Sequence, residues 1–314
     1  MRLRLVPDDT RIPFMRGRIM GLVVSAILSF ASVVLFFYPG MNYGIDFKGG
    51  ILIEVRTPEP ANFAEMRAAI AGAGVGEAAL QQFGSPTEVL VRMEAQESEG
   101  AQQRAVAAVR AALEQAMPGA RILRTEAVGG RVAAELFTAG MTALGMSLLA
   151  ILLYIWFRFE WQFGIGAVVT LILDVTKAIG FLAVTRIEFD LATVAALLTI
   201  IGYSVNDKVV VYDRMRENLR KYKTMPLRQL IDLSINETLN RTIGTSMTLL
   251  LAAVPLALFG GDTLSGFAWL MIAGIVIGTS SSIFIAAPIV LFTGSTRLRP
   301  TEAEAPAAAR PAKP

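Results

Sequence analysis

Asp207 interrupts an apolar run that begins at Leu191 and resumes at Val209 to Val211, and it is flanked there by Asn206 and Lys208. Counted along a helix from Leu191, this carboxyl lies about 24 Å in, within the last third of a hydrocarbon layer ~30 Å thick. An ionised carboxylate at such a depth costs roughly 2.5–3.5 kcal/mol on insertion scales, so it must be paired, hydrated or protonated. Asp174 and Lys177 interrupt a second apolar run, at a spacing that lets them share one helix face. The chemistry these types offer is reversible proton binding inside a membrane. The plainer alternative for Asp174 and Lys177 is a structural ion pair buried against neighbouring helices. Arg241, just ahead of the apolar run from Ile243, is the cation expected opposite Asp207. Otherwise it only anchors topology. Lys208 projects about 100° around the helix from Asp207 and is long enough to snorkel to the interface. Asp213 and Arg214, with Arg216 and Glu217, follow where the run ends and read first as charges that set topology.

Other chemistries are excluded by composition. The chain has no cysteine and no histidine. Thiol catalysis, disulfides and cysteine-ligated metals are ruled out, and protons must travel through carboxylates, lysine, tyrosine or water. No metal site and no cofactor is expected. No G-x-x-x-x-G-K-[ST] occurs, so nucleotide hydrolysis by that route is absent and the chain does not read as an enzyme. A formal charge of +3, from 29 Lys and Arg against 26 Asp and Glu, is too small to suggest nucleic acid. Residues that are 54% hydrophobic, with a mean hydropathy of +0.54, point to several membrane spans in contact with lipid.

The elements that must position these groups are apolar helices. Residues 1–18 carry five arginines ahead of a first span at 19–38, which places the N-terminus in the cytoplasm. Residues 39–132 read as a domain on the far side. Ile51 to Val55 is a strand, Ala61 to Ala73 a helix, Ala78 to Phe83 a strand, Gly84 to Pro86 a turn and Val89 to Met93 a strand. Ala101 to Met117 is a helix and Ile122 to Val128 a last strand. The order β-α-β-β-α-β predicts a ferredoxin-like α+β fold. Further spans follow at 137–157, 163–184, 191–212, 243–259 and 267–292. Between the fourth and fifth, residues 213–240 read as an amphipathic helix lying along the cytoplasmic face. The tail at 293–314, rich in Pro and Ala, reads as disordered and cytoplasmic. Gly44, Asp46, Gly49 and Gly50 form a turn-rich connection between the first span and the outer domain, a candidate hinge.

Several motifs occur together: Gly44-Ile45-Asp46-Phe47-x-Gly49-Gly50, Phe157-Arg158-Phe159-Glu160-Trp161, Tyr203-Ser204-x-Asn206-Asp207, Asp213-Arg214-x-Arg216-Glu217-Asn218, Leu239-x-Arg241-Thr242 and Gly278 to Ile283. In this order they resemble the SecF family of bacterial protein-export subunits, from the first span through the sixth. The resemblance implies a six-span RND-type half, paired as a heterodimer with the matching half of SecD in the inner membrane. It also implies that proton flow assists unfolded polypeptide emerging from the SecYEG translocon, with YajC and YidC as further candidate partners. Family coupling positions carry over onto Asp207, Arg241 and Asp174. Lys208 stands where a small hydroxyl residue is expected and Lys177 where an apolar one is. Both lysines favour an ionised aspartate. The rival readings are an RND-type exporter subunit for lipids or small molecules, and a scaffold that only stabilises the channel.

Overall fold

The computed structural model describes Pro7 and residues 10–76, 78–83, 85–96 and 98–294. The tail from residue 295, with Arg2 and Arg4, lies outside the described residues. Two compact units divide the chain. One comprises Met1–Asn42, Leu144–Ile187 and Ala192–Pro314, and the other Tyr43–Ala143 with Glu188–Leu191.

The elements in chain order are α1 (Arg18–Phe37), α2 (Ile45–Lys48), β1 (Gly50–Arg56), α3 (Phe63–Gly72), β2 (Ala78–Phe83), β3 (Ser85–Met93), α4 (Glu99–Ala116) and β4 (Arg121–Val128). Then come α5 (Gly130–Arg158), α6 (Trp161–Thr185), α7 (Leu191–Lys221), α8 (Leu227–Phe259), α9 (Gly261–Ser281), a π-helical turn (Ser282–Ala286) and α10 (Ala287–Gly294). Among the described residues six helical segments are long and apolar enough to cross a membrane: Phe14–Phe37, Gly130–Arg158, Trp161–Thr185, Leu191–Lys221, Leu227–Phe259 and Leu264–Gly294. The chain is thus a multi-pass α-helical membrane protein.

Within the membrane unit α7 is the most enclosed span, with 61% of its apolar window buried against 6% for α5. Glycines let the helices approach closely. A Cβ on Gly180 of α6 would lie 2.0 Å from Ser32 Oγ of α1, and one on Gly274 of α9 would lie 2.3 Å from Ile200 of α7. The helix expected over residues 213–240 is not a separate element. α7 runs on to Lys221, a short turn reverses the chain, and Pro226 leads into α8 at Leu227. Leu227 and Ile231 join the main core of the bundle and Leu230 is also buried, so this apolar stripe is used in helix packing.

The second unit holds a four-stranded sheet in the order β2-β3-β1-β4, with every neighbouring pair antiparallel. Each β-α-β crossover is therefore split by a strand of the other, the arrangement that a ferredoxin-like fold requires. Ile51, Ile53 and Val55 of β1 and Val89, Val91 and Met93 of β3 alternate toward one face. There they meet Met66 and Ile70 of α3 and Ala105, Val109 and Leu113 of α4. Asn62 caps α3 by accepting from the N–H of Ala64 and Glu65, and Ser98 caps α4 by accepting from Ala101 N–H. Of the turn expected at Gly84 to Pro86, Gly84 lies outside the described residues, and Ser85 and Pro86 belong to a strand. Strand β3 already begins at Ser85, where Phe83 pairs with Ser85.

Candidate functional site

Helix α6 presents Gly166, Ala167, Thr170, Leu171, Asp174, Lys177 and Ala178 to the interior, a stripe at the three- and four-residue spacing of one helix face. Helix α7 does the same with Ser204, Asp207, Lys208 and Val211. Both stripes meet α9 near the point where it changes to π-helix, a local irregularity that often marks functional positions.

Asp174 is the centre of a buried cluster. Its Oδ2 accepts from Ser204 Oγ at 2.7 Å, Ser281 Oγ at 2.6 Å and Lys208 Nζ at 2.9 Å. Its Oδ1 lies 3.2 Å from Lys177 Nζ. Lys208 also donates to Ser204 Oγ, to Ser204 O at 3.2 Å and to Ser281 Oγ at 3.2 Å. Lys177 reaches Ser25 Oγ of α1 at 3.4 Å. One carboxylate thus joins α1, α6, α7 and α9. The expected Asp174–Lys177 pair is present. Lys208 is a correction, because its ammonium is 1% exposed and points into the bundle instead of snorkelling outward. A filled oxygen cage compensates the desolvation that would otherwise expel it.

Asp207 is 6% exposed and accepts from Thr242 Oγ1 of α8 at 2.7 Å. The ion pair expected with Arg241 does not form. On α8 the face turned to α7 carries Ser234, Thr238, Thr242 and Ser246, and Arg241, one residue away, projects outward and is exposed. The helical step of about 100° decides which of two adjacent residues meets the neighbour. Asn206 is likewise exposed.

Hydroxyls account for most of what the sequence reading missed. Tyr203, Ser246 and Thr279 bond mutually across α7, α8 and α9, with Tyr203 Oη 2.6 Å from Ser246 Oγ and 2.9 Å from Thr279 Oγ1. The signal available was Ser and Thr recurring at four-residue spacing inside apolar runs, as at Ser234, Thr238, Thr242 and Ser246. At the end of α7, Asp213 accepts both of its bonds from Arg158 Nη2, at 2.8 and 2.7 Å. Arg214 pairs with Glu217 at 2.6 Å and Glu237 at 2.7 Å, tying α7 to α8. Within the α+β unit, Gly49 (φ 72°) and Gly50 (φ 131°) adopt conformations that side chains disfavour, and a Cβ on Gly50 would lie 2.5 Å from Met93 O. Gly44 keeps an ordinary φ of −69°, and Asp46 Oδ2 accepts from Leu191 N–H at 3.0 Å. These four residues are spread over a docked turn that contains the short helix α2. Among the described residues no group of three or more metal-binding side chains forms.

A membrane bundle with a buried charge cluster, carrying a ferredoxin-like α+β unit, defines the class. The family described as "Protein export membrane protein SecD/SecF, C-terminal" matches residues 108–296, and "SecD/SecF GG Motif" matches residues 34–57. The chain is 44% identical over 289 residues to the protein translocase subunit SecF of Rickettsia akari, covering 92% of this chain and 94% of that one. It is 43% identical over 309 residues to that of Rhodobacter capsulatus, covering 94% and 93%. Among solved structures, SecDF of Thermus thermophilus, a translocon-associated membrane protein, superposes with a TM-score of 0.81 at 34% identity. That match covers 92% of this chain and 39% of the longer SecDF chain. The chain belongs to the SecF family of protein translocase subunits.

Proposed function

We propose that this protein is the SecF subunit of a protein translocase, working with SecD to use the proton gradient in the late steps of export through SecYEG. Family membership supports the translocase assignment. The observation that carries the proton-driven reading is the buried carboxyl of Asp207, set deep in a span beside the neutral hydroxyls of Thr242 and Ser282. In this reading the chain sits in the inner membrane with both termini cytoplasmic and the α+β unit on the opposite side, among lipids and beside an unfolded polypeptide. YajC and YidC are further partners of the assembly. Asp207 takes a proton, its charge leaves the bundle interior, and the helices repack. Motion of the α+β unit, with Gly44, Asp46, Gly49 and Gly50 as its hinge, then biases the emerging chain outward. Asp174 belongs to the same coupling set, with Lys177, Lys208 and Asn206 supporting it and Asp213 and Arg214 holding the ends of the helices. Arg241 contributes from the exposed side of α8 as a cation within electrostatic reach of Asp207. A potential of 100 mV supplies about 2.3 kcal/mol per proton, enough to move a two-state equilibrium by one to two decades.

The test is export into inverted membrane vesicles containing the complex. Asp207→Asn is expected to leave insertion and SecD binding intact and to abolish stimulation by the proton gradient. Full stimulation in the variant would defeat the coupling role and favour a scaffold. Normal protein export combined with loss of lipid or small-molecule efflux would favour the exporter reading.

A further inference from the structure

Where α5 turns into α6 and α7 runs past that turn, the bundle holds two adjoining hollows of opposite character. One, of about 630 Å³, is an apolar groove between α5 and α6, walled by Leu152, Trp156, Trp161, Ile165 and Val169. Trp156 and Trp161 are exposed along it, and tryptophan is enriched where hydrocarbon meets the head groups. Val169 comes eight residues after Trp161 on α6, so the groove runs about 12 Å along the helix, within one leaflet of a ~30 Å hydrocarbon core. The other hollow, of about 550 Å³, is polar and lined by Arg158, Asp213, Arg216, Glu217, Arg220 and Lys221. Phe159 joins the two. It lines the groove, and the guanidinium carbons of Arg158 and Arg216 lie 5.0 and 5.8 Å from the centre of its ring.

We propose that the two hollows together bind one anionic phospholipid, with an acyl chain in the groove and the phosphate in the basic cavity. Charge selects this occupant. Four cations line the polar hollow against two carboxylates, and both carboxylates are already engaged. Asp213 accepts from Arg158 Nη2 at 2.8 and 2.7 Å and lies 3.7 Å from Arg216, while Glu217 pairs with Arg214 at 2.6 Å. Among the described residues Arg220 and Lys221 form no ion pair, and both are exposed. Basic pockets between membrane helices suit anionic head groups, and a guanidinium fork matches two phosphate oxygens. Cations in the last turn of α7 would by themselves only complement the helix dipole. Here a second helix supplies Arg158, and the cluster opens beside a groove of acyl-chain depth, neither of which a dipole requires. The proposal needs only that α5, α6 and α7 cross a bilayer. It is independent of proton coupling, so either can fail without the other.

The experiment places the full chain, alone and with SecD, in nanodiscs of equal parts phosphatidylglycerol and phosphatidylcholine with matched acyl chains. Native mass spectrometry then counts the lipids retained on release. The wild type should keep phosphatidylglycerol roughly tenfold over phosphatidylcholine, as an excess of two basic charges predicts. Arg220→Gln combined with Lys221→Gln should cut that preference to about twofold or less. Arg104→Gln with Arg110→Gln, exposed on α4, removes the same charge and should leave it unchanged. Gly164→Leu should fill the groove, because a Cβ there meets only Ile155 at 3.9 Å, and should lower retention of phosphatidylglycerol. A second measurement needs no variant. Two of the chain's three tryptophans line the groove, so phosphatidylglycerol brominated on its acyl chains should quench their fluorescence more than brominated phosphatidylcholine. Equal retention and equal quenching by the two lipids, or a preference that survives loss of Arg220 and Lys221, overturns the proposal. Retention indifferent to Gly164→Leu also overturns it, since the phosphate would then bind without the chain. A preference shown by the chain alone and lost with SecD would give this surface to the partner subunit and overturn the lipid site.

Discussion

Single carboxyls in this protein are governed by what surrounds them more than by where they fall in sequence. Asp174 gathers hydrogen bonds on Oδ2 and the Lys177 ammonium on Oδ1, whereas Asp207, in the same bundle, has the hydroxyls of Thr242 and Ser282 beside it and Lys208 and Arg241 only within longer electrostatic reach. Outside the spans, Glu188 shows the same dependence. Burial pushes its carboxyl above the ordinary value of 4.5, and the ion pair with Arg92 only partly offsets this. A carboxyl with a raised folded-state value supplies its stability at low pH and loses it as the pH rises through that value. Glu188→Gln should therefore flatten the fall in thermal stability as the pH rises above the ordinary value of 4.5, without lowering Tm at the alkaline end. Thermal unfolding of the purified protein across that range checks it. A steeper fall in the variant would mean that Arg92 depends on the charge of Glu188 more than Glu188 depends on escaping burial.

Helices here are placed by what they lack at the contact. Gly180 lets α1 ride directly on α6 with Ser32 in the space a side chain would take, and Gly274 receives Ile200. Without a hydrophobic drive between helices in lipid, such close approach supplies much of the packing energy. Gly180→Val should separate α1 from α6, costing at least the ~1–3 kcal/mol typical of overpacking, and should loosen the contact of Lys177 with Ser25. Gly202→Val serves as the control, because a side chain there meets nothing within 4 Å. Thermal stability in detergent distinguishes the two, and equal loss in both would remove the packing argument. The G-x-x-x-G of Gly274 and Gly278 is an undistinguished pattern in the sequence. Its use is visible only from the side chains it receives, Ile200 and Ser204.

At the scale of the whole chain, the α+β unit has its own closed core, drawn entirely from β1, β3, α3 and α4 in its buried part. A fragment spanning Gly49 to Gly129 should therefore be soluble and unfold cooperatively, since no apolar span falls within it. Circular dichroism melting reads this out. A non-cooperative melt would show that the sheet needs the aromatic residues Phe137 and Phe189, which pack around Phe47 just outside the fragment.

Composition and periodicity alone determined the six spans, the strand and helix order of the α+β unit, and the singular position of Asp207. These rest on local rules: the length of an apolar run, the alternation of a strand, the cost of a charge in hydrocarbon. The resemblance carried by the ordered motifs reached the family. Charge partners were a different matter. That Lys208 turns inward to Asp174, that Thr242 and not Arg241 meets Asp207, and that residues 213–240 extend two spans instead of forming a surface helix were decided by tertiary structure. The reason is geometric. Adjacent residues on a helix point about 100° apart, so whether two charges meet depends on the rotation and crossing of neighbouring helices, which no local pattern encodes.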